Sequence, residues 1–125
     1  MRLLALLPFA LLLSGCPAPT IDDVQTEVFG LSCAFSSCHG SLGSGGLELP
    51  DAATSLAELI DVPSEEVEGE TRVIPGDSSN SLLFKLLEGP VGDADMMPPS
   101  NGSATVSVTD EQLELVRSWI DSGAE

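Results

Sequence analysis

The stretch Cys33-Ala34-Phe35-Ser36-Ser37-Cys38-His39-Gly40 holds two of the three cysteines and the only histidine of the chain. Any fold for this sequence has to accommodate that cluster. Thiols this close together are cross-linked, metal-bound or joined to another group wherever the compartment is oxidising. The compartment therefore decides what the stretch can do.

The N-terminus speaks to that. Arg2 precedes an apolar run from Leu3 to Leu13, the charged and hydrophobic regions of a secretory signal. The run is shorter than the about 20 apolar residues needed to span a bilayer. Leu13-Ser14-Gly15-Cys16 follows and resembles the bacterial lipobox, in which the cysteine sulfur takes a diacylglyceryl group and cleavage leaves that cysteine first. Residues 1–15 are thus expected to be a lipoprotein signal peptide, with Cys16 lipidated and residues 16–20, rich in proline, a tether. The folded part, residues 21–125, is expected to face the periplasm or the exterior, anchored to a bacterial membrane by that lipid only.

Beyond the leader, 20 acidic side chains are opposed by Arg72, Lys85 and Arg117 alone. Nucleic acid and anionic lipid surfaces are poor partners for such a chain. The charge keeps a tethered domain soluble, and it also suits steering toward a basic partner. The large aromatic side chains after the leader are Phe29, Phe35, Phe84 and Trp119, with no tyrosine. That supports one small domain with few bulky groups to fill it, which an apolar cofactor would help to close.

Periodicity predicts short helices. Ile21, Val24, Val28 and Leu31 recur at three- and four-residue steps, an amphipathic helix capped by Thr20 that leads into Cys33. Ser41 to Gly46 reads as loop. A second helix is expected around residues 51–61, with Leu56, Leu59 and Ile60 inward. The acidic run Ser64 to Glu70 reads as a surface loop. Arg72-Val73-Ile74 is extended and ends in the turn Pro75-Gly76. Asp77 or Ser78 then caps a third helix through Leu87, apolar almost all round and so expected to be deeply buried, which Gly89-Pro90 stops. Residues 89–103 lack periodicity and are long for a loop in a small domain, a hint of function. Thr109 caps the last helix with Gln112 in the capping-box position; Leu113, Val116, Trp119 and Ile120 form its inner face, and Gly123 ends it.

Three groups carry chemistry: Cys33 with Cys38, His39, and Met96-Met97-Pro98-Pro99. Taken singly, two oxidisable thiols form a disulfide, a lone histidine is a surface or core residue, and methionine fills core gaps. Their combination asks for more. A Cys-His pair after an upstream cysteine supplies two sulfurs for the two vinyl groups of haem and an imidazole to reach the iron. The usual motif has two residues between the cysteines, whereas Ala34, Phe35, Ser36 and Ser37 intervene here. The extra residues must bulge outward, which the small side chains at 34, 36 and 37 permit.

The methionines, in a loop of Gly, Asp and Pro, have no evident core to fill. Met97 precedes Pro98 and is pushed toward extended geometry, which sets the depth of its sulfur. Met96, followed by Met rather than Pro, is the alternative. Histidine and methionine on opposite faces of haem iron give a six-coordinate centre suited to electron transfer and closed to substrates. Zinc uses the same ligand types, but Cys38 and His39 are adjacent and a fourth ligand is wanting. A thiol-disulfide oxidoreductase favours two intervening residues and a thioredoxin-like βαβ context, which is absent.

In order and spacing these landmarks resemble the small c-type cytochrome domains found in secreted and lipid-anchored proteins of myxobacteria and planctomycetes. The resemblance runs from Cys33 to Ala124. It rests on Cys33-x4-Cys38-His39-Gly40, Gly45 to Leu49, Arg72 to Asp77 with Ser81-Leu82-Leu83, Met97-Pro98-Pro99, and Val116 to Ala124. It implies an all-α, cytochrome c-like fold: three to four short helices around one covalently bound haem, with long loops, the first and last helices crossing near the haem edge. It implies Cys33 and Cys38 as attachment points, His39 and Met97 as axial ligands, and an electron carrier, not an enzyme, that meets redox partner proteins through their basic docking patches. Arg72 then pairs with a haem propionate or with an acidic side chain; Trp119 packs on the ring or anchors the core. The competing reading is a haem-free envelope lipoprotein stapled by a Cys33–Cys38 disulfide, with a structural or interaction role.

Overall fold

The computed structural model describes residues 15–99 and 106–125; most of the expected signal peptide and the end of the 89–103 loop lie outside the described residues. The described chain is all-α. The first helix, α1, runs as Ile21–Val24 in α geometry, Gln25–Phe29 as a π turn and Gly30–Ser32 in α geometry again. It is followed by α2 (Ala52–Leu59), α3 (Leu82–Glu88) and α4 (Asp110–Asp121). Extended pairing among the described residues is confined to isolated bridges, such as Ile60 with Val73 and Thr71 with Ser81. No described helix is long and apolar enough to cross a membrane.

Thr20 starts α1 as expected: its backbone N–H and hydroxyl donate to Asp23 Oδ2 at 2.7 and 3.0 Å. Those bonds hold the Asp23 carboxyl below its ordinary range. Further along, the expected inner face is corrected. Ile21, Val24 and Val28 are buried, but Leu31 is 58% exposed and Phe29 is fully buried instead. A π turn holds more residues than an α turn, so positions beyond it rotate relative to the α pattern. Gln25 opens that turn. Its Nε2 donates to Leu49 O at 3.0 Å and its Oε1 accepts from Ser55 Oγ at 2.7 Å, tying α1 to α2.

In α2, Asp51 caps the first turn by accepting the Thr54 N–H at 2.9 Å. Leu59 is buried, while Leu56 and Ile60 pack half-buried against the core. The expected third helix is not continuous. Asp77 caps a 3-10 turn, Ser78–Asn80, and Ser81 then returns to extended backbone before α3 begins. The break has a cause: Ser81 Oγ accepts from Ile74 N–H and donates to Asp77 O, both at 2.8 Å. The N–H groups of Leu82 and Leu83 donate to Thr71 O and Arg72 O, at 2.9 and 3.0 Å. Extended residues 71–72 thus satisfy donors that the start of a helix leaves unpaired. Nor is α3 enclosed on all sides: Leu82, Phe84 and Leu87 are buried, while Leu83, Lys85 and Leu86 are half-buried. Lys85 pairs with Glu70 at 2.7 Å.

The capping box of α4 is formed, with Thr109 N–H donating to Gln112 Oε1 at 2.9 Å and Gln112 N–H to Thr109 Oγ1 at 3.2 Å. Val116, Trp119 and Ile120 are completely buried. α4 packs on α1, and Gln112 Nε2 reaches Glu27 O at 2.6 Å. Trp119 sits in the core with Phe29, Leu49, Leu59 and Val73, and its indole N–H is satisfied by Glu125 O at 3.0 Å. Removing a buried tryptophan costs about 3–5 kcal/mol, a large share of the about 5–15 kcal/mol that holds a domain folded. Of its two expected roles, Trp119 fills that of core anchor.

Candidate cofactor site

Residues 33–49 form a close-knit loop. Cys33 O accepts from His39 N–H at 3.1 Å, Phe35 O accepts from Cys38 and Gly40 N–H groups at 2.9 Å each, and Ser44 N–H donates to Cys38 O at 3.0 Å. Of the residues between the cysteines, Phe35 is 43% exposed, Ser36 and Ser37 are exposed beside it, and Ala34 is half-buried. Gly40 is dictated by close approach, since a Cβ there would lie 2.7 Å from the carbonyl oxygens of Ala34 and Phe35.

His39 is held from three sides. Besides the bond to Cys33, its carbonyl accepts from Leu49 N–H at 2.7 Å, and its ring Nδ1 lies 3.1 Å from Leu47 O. A carbonyl only accepts, so Nδ1 carries a proton, and in the neutral ring Nε2 then keeps its lone pair. That is the tautomer a metal ligand needs, with its orientation set by the other nitrogen.

The ring borders a cavity of about 370 Å³, inside the roughly 300–1,000 Å³ range of small-molecule sites. Leu47, Leu59, Leu82, Leu83 and Met97 give it an apolar side, and Glu66, Arg72, Asp93 and Asp95 a charged one. Met97 is brought there by the loop after α3, where its N–H donates to Leu86 O at 2.8 Å. Met96 lines a second cavity of about 260 Å³ together with Leu87, Val106 and Val108, and Met97 borders both. Among the described residues, then, Met97 shares a cavity with the histidine and Met96 does not. An imidazole whose Nδ1 is engaged elsewhere and a thioether on one cavity are a donor set that fits haem iron.

The cysteines stand apart from this wall. Neither borders the cavity; Cys33 packs against the core, Cys38 is half-buried with its sulfur 3.8 Å from Ser37 Oγ, and both thiols are free. Burial, with a smaller contribution from neighbouring Cys38, pushes the Cys33 thiol from its ordinary 9.0 up to about 12. The neutral thiol is thus favoured by folding. Its contribution to stability is complete below pH 9.0 and is lost as pH climbs toward about 12. In the unlipidated, haem-free chain Cys33 should therefore be alkylated far more slowly at pH 8 than exposed Cys16. Mass mapping of the labelled peptides checks this, and equal labelling would show that Cys33 is not enclosed.

Arg72 is buried and borders the cavity, yet its guanidinium is engaged by the protein itself. Nη1 donates to Glu58 O at 2.9 Å and to Glu58 Oε2 at 3.3 Å, while Nη2 donates to Gly46 O at 3.0 Å. Of its two expected roles the ion pair is formed. The part played by Leu47 was missed by sequence reasoning, because it acts through a backbone carbonyl that no side-chain pattern marks. Glu58 lay on the expected second helix, with nothing to single it out. Compared with known families, curated proteins and solved structures, the chain matches no family model, no curated protein and no solved structure.

Proposed function

We propose that the chain is a lipid-anchored mono-haem c-type cytochrome with a cytochrome c-like arrangement of its helices, carrying single electrons in the bacterial cell envelope. One observation carries this reading: His39, its Nδ1 engaged by Leu47 O, and Met97 line the same cavity. Bound there, haem supplies a reversible Fe(III)/Fe(II) couple. The chain's own residues define the conditions. Nε2 of His39 and the sulfur of Met97 would hold the iron, and with both bound no position would be left open for a substrate. Cys33 and Cys38 would hold the haem to the chain by thioether links.

The rest of the molecule suits the same role. Cys16, exposed ahead of α1, carries the lipid in this reading, and the domain then stays at a membrane. Redox partners with basic docking patches match a chain that beyond the leader has 20 acidic residues against Arg72, Lys85 and Arg117, of which Arg72 is buried. The test is a redox titration of protein matured with haem-attachment machinery. A haem spectrum that changes reversibly along a single one-electron curve is expected, and a colourless product would overturn the reading.

A further inference from the structure

Arg72 is the only buried charged side chain among the described residues. A guanidinium taken out of water must find partners for its protons, and those it finds join two segments. Nη1 donates to Glu58 O at 2.9 Å and Glu58 Oε2 at 3.3 Å near the end of α2. Nη2 donates to Gly46 O at 3.0 Å and Gly45 O at 3.4 Å. Both glycines are left-handed, at φ 65° and 67°, and a Cβ on Gly46 would collide with the Glu65 carboxylate. The next residue is Leu47, whose carbonyl accepts from His39 Nδ1 at 3.1 Å. A continuous set of contacts thus runs from α2 through Arg72 and residues 45–47 to the imidazole.

We infer that Arg72 is a positioning residue for His39: its fork clamps the 45–47 segment to α2 and, through Leu47 O, fixes the tautomer and ring plane of the imidazole. The inference rests on the proposal that His39 is an axial haem ligand. Partners of this kind orient a ligating histidine and raise its basicity. Two carbonyl groups on one side and a carbonyl with a carboxylate on the other need a planar fork. Lysine keeps the charge but cannot span both.

The test compares Arg72→Lys, Arg72→Gln and Glu58→Gln in the matured protein. Exchange of the His39 Nδ1 proton with solvent is followed by NMR in the reduced, diamagnetic form. The g values of the oxidised form are read by EPR. Both Arg72 variants are expected to exchange that proton about ten-fold faster or more and to show more than one set of g values. Glu58→Gln keeps the Glu58 carbonyl and both glycine carbonyls in place, and is expected to match the wild type. An Arg72→Lys protein with wild-type signals would overturn the inference, since charge alone would then suffice. So would a Glu58→Gln protein as perturbed as Arg72→Lys. If the Arg72 variants fail to fold, the wild type is read directly: the Arg72 guanidinium protons and the His39 Nδ1 proton should both be protected from exchange, and freely exchanging guanidinium protons beside a protected Nδ1 would overturn the clamp. Haem-loaded variants with unaltered His39 signals defeat this inference alone, whereas a wild-type protein without haem defeats the underlying proposal as well.

Discussion

Protein matured with haem-attachment machinery is expected to keep its haem through full denaturation, and the Cys33→Ala, Cys38→Ala double variant to release all of it. Each single variant is expected to retain haem through the remaining link at lower yield. The two sulfurs do not start from equal positions. Cys38 is bonded in sequence to His39, so iron bound at the imidazole draws that sulfur along. Cys33 lies at the end of α1 against the core, with its thiol pushed up to about 12 by burial. A thiol so enclosed is a poor reactant. Attachment at Cys33 therefore belongs to a stage before α1 packs onto the core, and the yield of Cys38→Ala should suffer more than that of Cys33→Ala. Haem staining of a denaturing gel, with intact mass, reads all of these outcomes. A colourless wild type whose mass shows Cys33 and Cys38 joined to each other would instead establish the haem-free, disulfide-stapled lipoprotein.

The parts of this fold that could be read in advance are those set by neighbours in sequence. The caps expected at Thr20 and at Thr109 with Gln112 are formed at a spacing of three, whereas Asp51, expected within the second helix, caps it through Thr54. What escaped prediction is set at long range. Leu31 turns outward because α1 contains a π turn, and Gln25 at its head bonds to Leu49 and Ser55, which lie 24 and 30 residues away. The third helix breaks at Ser81 because residues 71–74 take the donors and acceptors there. The candidate site divides in the same way. Adjacent Cys38 and His39 stand out as candidate cofactor residues by residue type alone. That Met97 and His39 border one cavity, while Met96 borders another, follows from how the 89–99 loop is tied to Leu86, which no local pattern encodes.

Met97→Ala is expected to leave haem attached while opening one face of the iron. Loss of the thioether removes the ligand that raises the potential in histidine/methionine centres. The reduction potential should fall by on the order of 0.1 V or more, within the span of about 0.8 V that axial ligands command. Carbon monoxide, excluded while both positions are filled, should bind the reduced variant. Met96→Ala is the control that separates ligation from packing. Met96 is half-buried beside Leu87 and Val106 in the neighbouring cavity. Its truncation should cost stability, about 2 kcal/mol or less given the about 2–5 kcal/mol for fully buried methionine, and leave the potential and the closed iron unchanged. The reverse result, with Met96→Ala admitting carbon monoxide and Met97→Ala not, would move the distal sulfur to Met96. That would require the 89–99 loop to turn over about its bond to Leu86, because Met97 alone of the two borders the cavity of His39.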